Sequence, residues 1–278
     1  MCGIYGFIGK PDKRTPEAIR ELAIMNISRG TDSTGLVIAS NKSVQMFKKP
    51  VNSLKFMGKN TVKELLSSYS CSKSLVIIGH TRLATKGSVN EDNAHPWKIG
   101  RYFFAHNGII SNFDSLEDEF GTNYQVDSQI IGHLLNIQEP KRLFSKTLKG
   151  SYAVPYFNEK EPQKLYIAKH SSPLSVAVTK HGAYFSSEFR HLELVMKNLM
   201  IDCDIYMVPD DRIITLDFTS GKLVKSHKDL DMPEPIVRSY GFDDYYNSKY
   251  KKDKFFKESA WKKPQTGVKA LPWVSSMD

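Results

Sequence analysis

The chain has 278 residues, 40% of them hydrophobic and 25% charged, with a formal net charge of +9. That balance excludes a disordered or fibrous protein and suits one large folded domain or two small ones. Three widely separated cysteines, Cys2, Cys71 and Cys203, make neither a disulfide framework nor a zinc pattern, so free thiols in a reducing compartment are expected.

The chain opens on Met1-Cys2-Gly3-Ile4-Tyr5-Gly6-Phe7-Ile8-Gly9, an apolar run punctuated by glycine that reads as a short buried strand. Thr15-Pro16-Glu17-Ala18 predicts a helix start with Thr15 as the cap, and apolar residues at 19, 22, 23 and 27 give the helix one buried stripe. Arg29 to Gly35 is a polar loop leading into a strand at 36–39, whose hairpin partner is 44–47; a short helix follows at 60–69. Ser74 to Gly79 is a continuous apolar strand that delivers His80-Thr81-Arg82-Leu83-Ala84-Thr85-Lys86-Gly87 at its end. The pattern repeats when a strand at 101–105 ends in His106-Asn107-Gly108-Ile109-Ile110-Ser111-Asn112.

Asp127 is expected at the N-cap or in the first turn of a helix reaching about Gln138, with a second helix over 139–148. From Gly150 the chain is strand-rich (152–157, 164–168, 174–178, 183–186, 205–208, 212–217, 222–225), with one helix near 188–199. Two runs of strands separated by helices, with no βαβ rhythm, predict an α+β sandwich of two sheets with helices outside. After about Lys228 the apolar periodicity ends, giving a domain at 2–228 and an extended basic and aromatic tail at 229–278.

If Met1 is removed, Cys2 carries its thiol and its α-amine on one residue, and the partly unprotonated amine is a base for the thiol. A thiolate attacking an amide needs donors for the oxyanion, and Asn107 with Gly108 supplies a side-chain amide beside a backbone N–H. If the amide is that of glutamine, its α-carboxylate calls for a guanidinium and its α-ammonium for a carboxylate, the types present at Arg82 and Asp127. Other readings stand beside these: Asn107-Gly108 as a hairpin turn, Arg29 with Asp32 as a structural ion pair, and His80, His95 and His106 as scaffold.

Six motifs in order, at 1–6, 29–35, 79–85, 93–96, 106–112 and 150–153, resemble the glutaminase domain of class II glutamine amidotransferases. The resemblance implies the N-terminal nucleophile hydrolase fold, a four-layer αββα sandwich. It implies Cys2 as nucleophile and base, Asn107 and Gly108 as oxyanion hole, Arg82 and Asp127 as the glutamine-binding pair, and Arg29 and Thr85 as supports of the pocket, with no metal or cofactor. Leu83 stands where sugar-phosphate members commonly have Trp, and Lys86 where they have His.

Because no acceptor domain is legible after residue 190, the expected function is a stand-alone glutaminase that supplies ammonia to a separate synthetase or transferase. A free-standing γ-glutamyl amide hydrolase of a small metabolite is the alternative, and a non-catalytic binding module a second one. Seven lysines between Lys249 and Lys263, with aromatic residues between and around them, make the segment from Tyr240 to Asp278 the expected docking element for that partner enzyme. Single-stranded nucleic acid is the competing ligand for it. No apolar run of spanning length or signal-peptide pattern is present, so a soluble, cytoplasmic protein without a membrane role is expected.

Overall fold

A computed structural model describes residues 2–232, which fold as a four-layer αββα sandwich. The first sheet contains β1 (Gly3–Gly9), β2 (Ser33–Ala39), β3 (Val44–Lys49), β4 (Leu75–Arg82), β10 (Ser175–Thr179), β11 (Gly182–Ser186) and β12 (Asp204–Met207). Their order across the sheet is β12-β10-β11-β1-β4-β2-β3, with every neighbouring pair antiparallel. The second sheet runs β14 (Val224–Asp229), β13 (Arg212–Asp217), β9 (Lys164–His170), β8 (Gly150–Asn158), β6 (Tyr102–Phe104) and β5 (Trp97–Ile99), and β7 (Asn107–Ile110) also pairs with β8. The two sequence runs of strands therefore interleave, since the late strands β10 to β12 return to flank β1.

Alternation within the strands decides the layers. Tyr5 and Phe7, Leu36 and Ile38, and Leu75 and Ile77 share one core with α1 (Thr15–Met25), α2 (Ser53–Met57), α3 (Asn60–Ser68) and α7 (Phe189–Asn198). The intervening residues Ile4, Ile8, Val37, Val76 and Ile78 are buried on the opposite face. Burial on both faces is why these strands read as unbroken apolar runs. On the second sheet, α5 (Gln129–Ile137) packs on β5 and β6 with Ile130, Ile131, Leu134 and Leu135 buried.

Local chemistry corrects several expectations. Thr15 does not cap α1. The Asp12 carboxylate accepts from the N–H groups of Arg14 and Thr15 (2.9 and 3.1 Å), while Thr15 Oγ1 accepts from the Asp12 N–H (3.0 Å), so a reciprocal box is built one turn earlier around a charged residue. Asp127 does not cap α5 either, because its Oδ2 accepts from the Ile110 N–H of β7 at 2.9 Å. The segment at 139–148 is a short α6 (Pro140–Arg142) followed by a π-turn, Leu143–Thr147. The elements α2, α4 (Phe113–Phe120), β5 and β7 were not legible. β14 extends to Asp229, which pairs with Arg212. The expected tail from Tyr240 to Asp278 lies outside the described residues. Among the described residues no helix is long and apolar enough to cross a membrane.

β1 is the spine of the first sheet, and Gly6 is where its neighbours come closest. A Cβ there would stand 2.1 Å from the Ile77 carbonyl oxygen and 2.2 Å from the Phe185 ring. Gly6→Ala should therefore destabilise the domain by about 1–3 kcal/mol through overpacking, read as a lower denaturant midpoint with unchanged m-value. An unchanged midpoint would contradict the packing described.

Candidate active site

Cys2 immediately precedes β1, whose first residues pair with the last residues of β4 through Gly3 with Thr81 and Ile4 with His80. That register brings the Cys2 thiol to the loop leaving β4, with Sγ 3.6 Å from the Leu83 carbonyl oxygen. Burial pushes the Cys2 thiol above its ordinary pKa, opposed by this contact and by the positive charges of Arg82 and Arg29. A thiol so placed is protonated at neutral pH and needs a base beside it.

The Cys2 backbone is held from behind. Arg29 Nε donates to the Cys2 carbonyl at 2.7 Å, and its Nη1 pairs closely with Glu188. Arg29 is thus not the partner of Asp32. Asp32 Oδ2 instead accepts from the Ala84 N–H at 2.7 Å, and the Asp32 N–H donates to the Arg82 carbonyl at 2.9 Å, which pins the start of the loop after β4.

Arg82 is buried, only 2% exposed, and its guanidinium donates to the carbonyls of Ser88 (3.1 Å) and Lys86. It organises the 83–88 loop with two donors and keeps further N–H groups on the same fork. Thr85 is exposed on that loop, as is Leu83. Lys86 reaches across to α4, where Nζ lies 3.0 Å from Asp114 Oδ1 and 4.1 Å from the centre of the Phe113 ring.

The second sheet supplies the opposite wall. His80 Nε2 donates to the His106 carbonyl at 3.1 Å, tying the end of β4 to the residue before Asn107. Asn107 is buried, and its Nδ2 has no hydrogen-bond partner. A buried amide donor without an acceptor is costly unless something arrives to accept from it. Asn107 and Gly108 begin β7, paired with Ala153 and Tyr152, and are not a hairpin turn. Gly108 has φ of +146°, and a Cβ on it would lie 2.0 Å from the Ser151 carbonyl oxygen, so no other residue fits.

Asp127 joins this wall through Ile110, and Ser128 Oγ donates to its Oδ1 at 3.3 Å; Ser128 Oγ is also 2.7 Å from His106 Nδ1. The carboxylate acts electrostatically on both Arg82 and His106. Arg82 and Arg29 therefore act electrostatically on Cys2, and Asp127 on Arg82, while the His80–His106 bond ties the residue before Asn107 and Gly108 to the end of β4 and Thr85 lies on the loop that follows it. Sequence reasoning missed Glu188, whereas His95 is buried scaffold as read, its ring stacked 3.9 Å from His80 and 3.8 Å from Trp97.

A family model described as glutamine amidotransferases class-II matches residues 30–140. The glutamine--fructose-6-phosphate aminotransferase (isomerizing) of Helicobacter pylori is 36% identical over 204 residues, which covers 67% of this chain and 32% of that protein. Its counterpart from Thermococcus kodakarensis is 30% identical over 242 residues, covering 81% and 39%. The solved structure of glutamine phosphoribosylpyrophosphate amidotransferase from B. subtilis, complexed with ADP and GMP, superposes with a TM-score of 0.63 at 19% identity, over 84% of this chain and 50% of that one. The chain spans well under half the length of these curated relatives. The shared sandwich is the N-terminal nucleophile hydrolase fold.

Three buried imidazoles behind the site set a pH limit. Burial pulls His80 down to about 3, His95 well below its ordinary value, and His106 down against the opposing Asp127 charge. All three are neutral when folded, whereas unfolded histidines take up protons below about pH 6.5. The unfolded state thus binds more protons in that window, so stability is complete above it and falls as pH drops toward the folded values. The slope is about 1.4 kcal/mol per pH unit for each such histidine. Urea midpoints should fall steadily from about pH 7 to pH 4, more steeply than in a His95→Gln protein. A flat profile would contradict this.

Proposed function

We propose that this chain, which belongs to the class II glutamine amidotransferases, hydrolyses glutamine to glutamate and ammonia through a thioester on Cys2. With Met1 removed, the Cys2 α-amine takes the thiol proton and the thiolate attacks the γ-amide carbon. The carbon–sulfur bond forms as the carbonyl becomes an oxyanion. The amine returns the proton to the leaving nitrogen, ammonia departs as the carbon–nitrogen bond breaks, and water then cleaves the thioester.

The observation that supports this reading most is the buried, unpartnered Nδ2 of Asn107, next in sequence to the His106 carbonyl that His80 ties to the end of β4, the strand that leads to the loop holding the Cys2 thiol. Together with the Gly108 N–H it is a donor pair awaiting an oxyanion. Arg82, with donors beyond those it gives to the Ser88 and Lys86 carbonyls, takes the α-carboxylate of glutamine. Asp127, with lone pairs beyond those given to Ile110 and Ser128, takes the α-ammonium. Arg29 fixes the nucleophile's backbone, and Thr85 closes the loop side of the pocket. The presence together of Cys2, Arg82, Asn107, Gly108 and Asp127 argues against a non-catalytic module.

The ammonia passes to an acceptor-modifying partner enzyme. The relatives named for fructose 6-phosphate match this chain over only about a third of their length, so their acceptor is not carried over to it.

Glutamine hydrolysis should vanish in a Cys2→Ala protein. In Asn107→Ala, kcat should fall about 10²–10³-fold with KM nearly unchanged, because the donor acts on charge that develops only in the transition state. Glutamate release by the variants checks both. Turnover by Cys2→Ala at the wild-type rate would refute the reading, and a change confined to KM in Asn107→Ala would refute the role of Asn107.

A further inference from the structure

Ser187, just after β11, grips the start of β1 two residues from Cys2. The Ile4 N–H donates to Ser187 Oγ at 2.9 Å, and the Ser187 N–H donates to the Ile4 carbonyl at 2.9 Å, which extends the β1–β11 pairing past Tyr5 and Ser186. At Cys2 no bond from this segment's backbone is made among the described residues. The Cys2 carbonyl is instead held by Arg29, and Arg29 by Glu188. Asn26, in the turn that precedes Arg29, is fixed to the same corner by its Nδ2 donating to Ser186 Oγ at 3.1 Å.

We propose that Glu188 is a positioning residue for the nucleophile, acting through the Arg29 guanidinium to fix the Cys2 peptide and so the direction of its thiol. Arg29 is almost entirely buried, with a side chain 6% exposed, and a buried guanidinium holds a single orientation only when its fork is matched by an acceptor. Glu188, 40% exposed, meets it from the rim of a cavity of about 310 Å³ lined by Ser28, Arg29, Glu188, Arg190 and His191. Among the described residues its carboxylate pairs with Arg29 and makes no hydrogen bond to Cys2, so it contributes orientation and no chemistry. Its side chain also makes no capping bond to α7, although it occupies the N-cap position. Helix capping therefore does not account for the carboxylate.

The inference rests on the reading of Cys2 as nucleophile, and the test separates the two. Wild type, Glu188→Gln, Glu188→Ser, Arg29→Lys and the Arg29→Lys/Glu188→Gln double variant are compared for glutamine hydrolysis and thermal unfolding. Glu188→Gln keeps the size of the side chain, and Glu188→Ser supplies a good helix cap, so at least one keeps α7 intact. In both, kcat should fall about tenfold with KM within about twofold, since a loosened nucleophile loses alignment and not substrate affinity. The double variant should be no slower than Arg29→Lys alone, because the two residues act through one contact. Wild-type kcat in a folded Glu188→Gln or Glu188→Ser protein would overturn the proposal, as would independent, multiplying losses in the double variant. Absence of glutamine hydrolysis in the wild type would instead overturn the reading of Cys2 on which it rests.

Discussion

The structure depends on the pairing of β1 between β4 and β11. A chain terminus ordinarily frays because few contacts repay the entropy of ordering it. Here the residues after Cys2 are paired on both sides, with Gly3 to Gly9 opposite β4 and Tyr5 to Gly9 opposite β11. Their side chains are buried on both faces. The strand next to the thiol is therefore paired on both edges and buried on both faces, which fixes the chain where the proposed nucleophile needs it. The tight fit at Gly6 and the bonds to Ser187 and Arg29 are consequences of running the start of the chain through the middle of a sheet.

The opposite wall is held by a different kind of interaction. His80 bridges the sheets to the His106 carbonyl, His95 stacks on His80, and Asp127, two residues before α5, accepts from Ile110 of β7. These are buried polar contacts, more directional than apolar packing and more costly when mismatched. Among the described residues here, Asn107 Nδ2, His80 Nδ1 and both His95 ring nitrogens have no hydrogen-bond partner. A donor held rigidly without an acceptor suits charge that arrives during reaction, which is the role proposed for Asn107.

Much of this was legible in the sequence because strand cores and polar loop ends follow local rules. The apolar run at 74–79 gave β4, and Arg212 to Asp217 gave β13 with its bounds. What was not legible needed partners distant in sequence. Glu188 lies 159 residues from Arg29 and carries no local pattern. Asp12 displaced Thr15 as the cap because an ionised carboxylate is the stronger acceptor, which a scan for Thr-Pro overlooks. Asp127 read as a helix cap from its position, yet β7, itself too short to show as a strand, offered the Ile110 N–H instead. The return of β10 to β12 to the first sheet is likewise set by packing around β1 and by no signal of their own.

The central claim is that the mature chain begins at Cys2 and that this residue carries the substrate's acyl group. Intact-protein mass spectrometry of the purified protein, acid-quenched during glutamine turnover and followed by peptide mapping, measures both at once. The account predicts a chain lacking Met1 and bearing one γ-glutamyl group, located on Cys2 and removed by hydroxylamine. A protein that turns over glutamine while retaining Met1, or that carries the acyl group on any other residue, would contradict it.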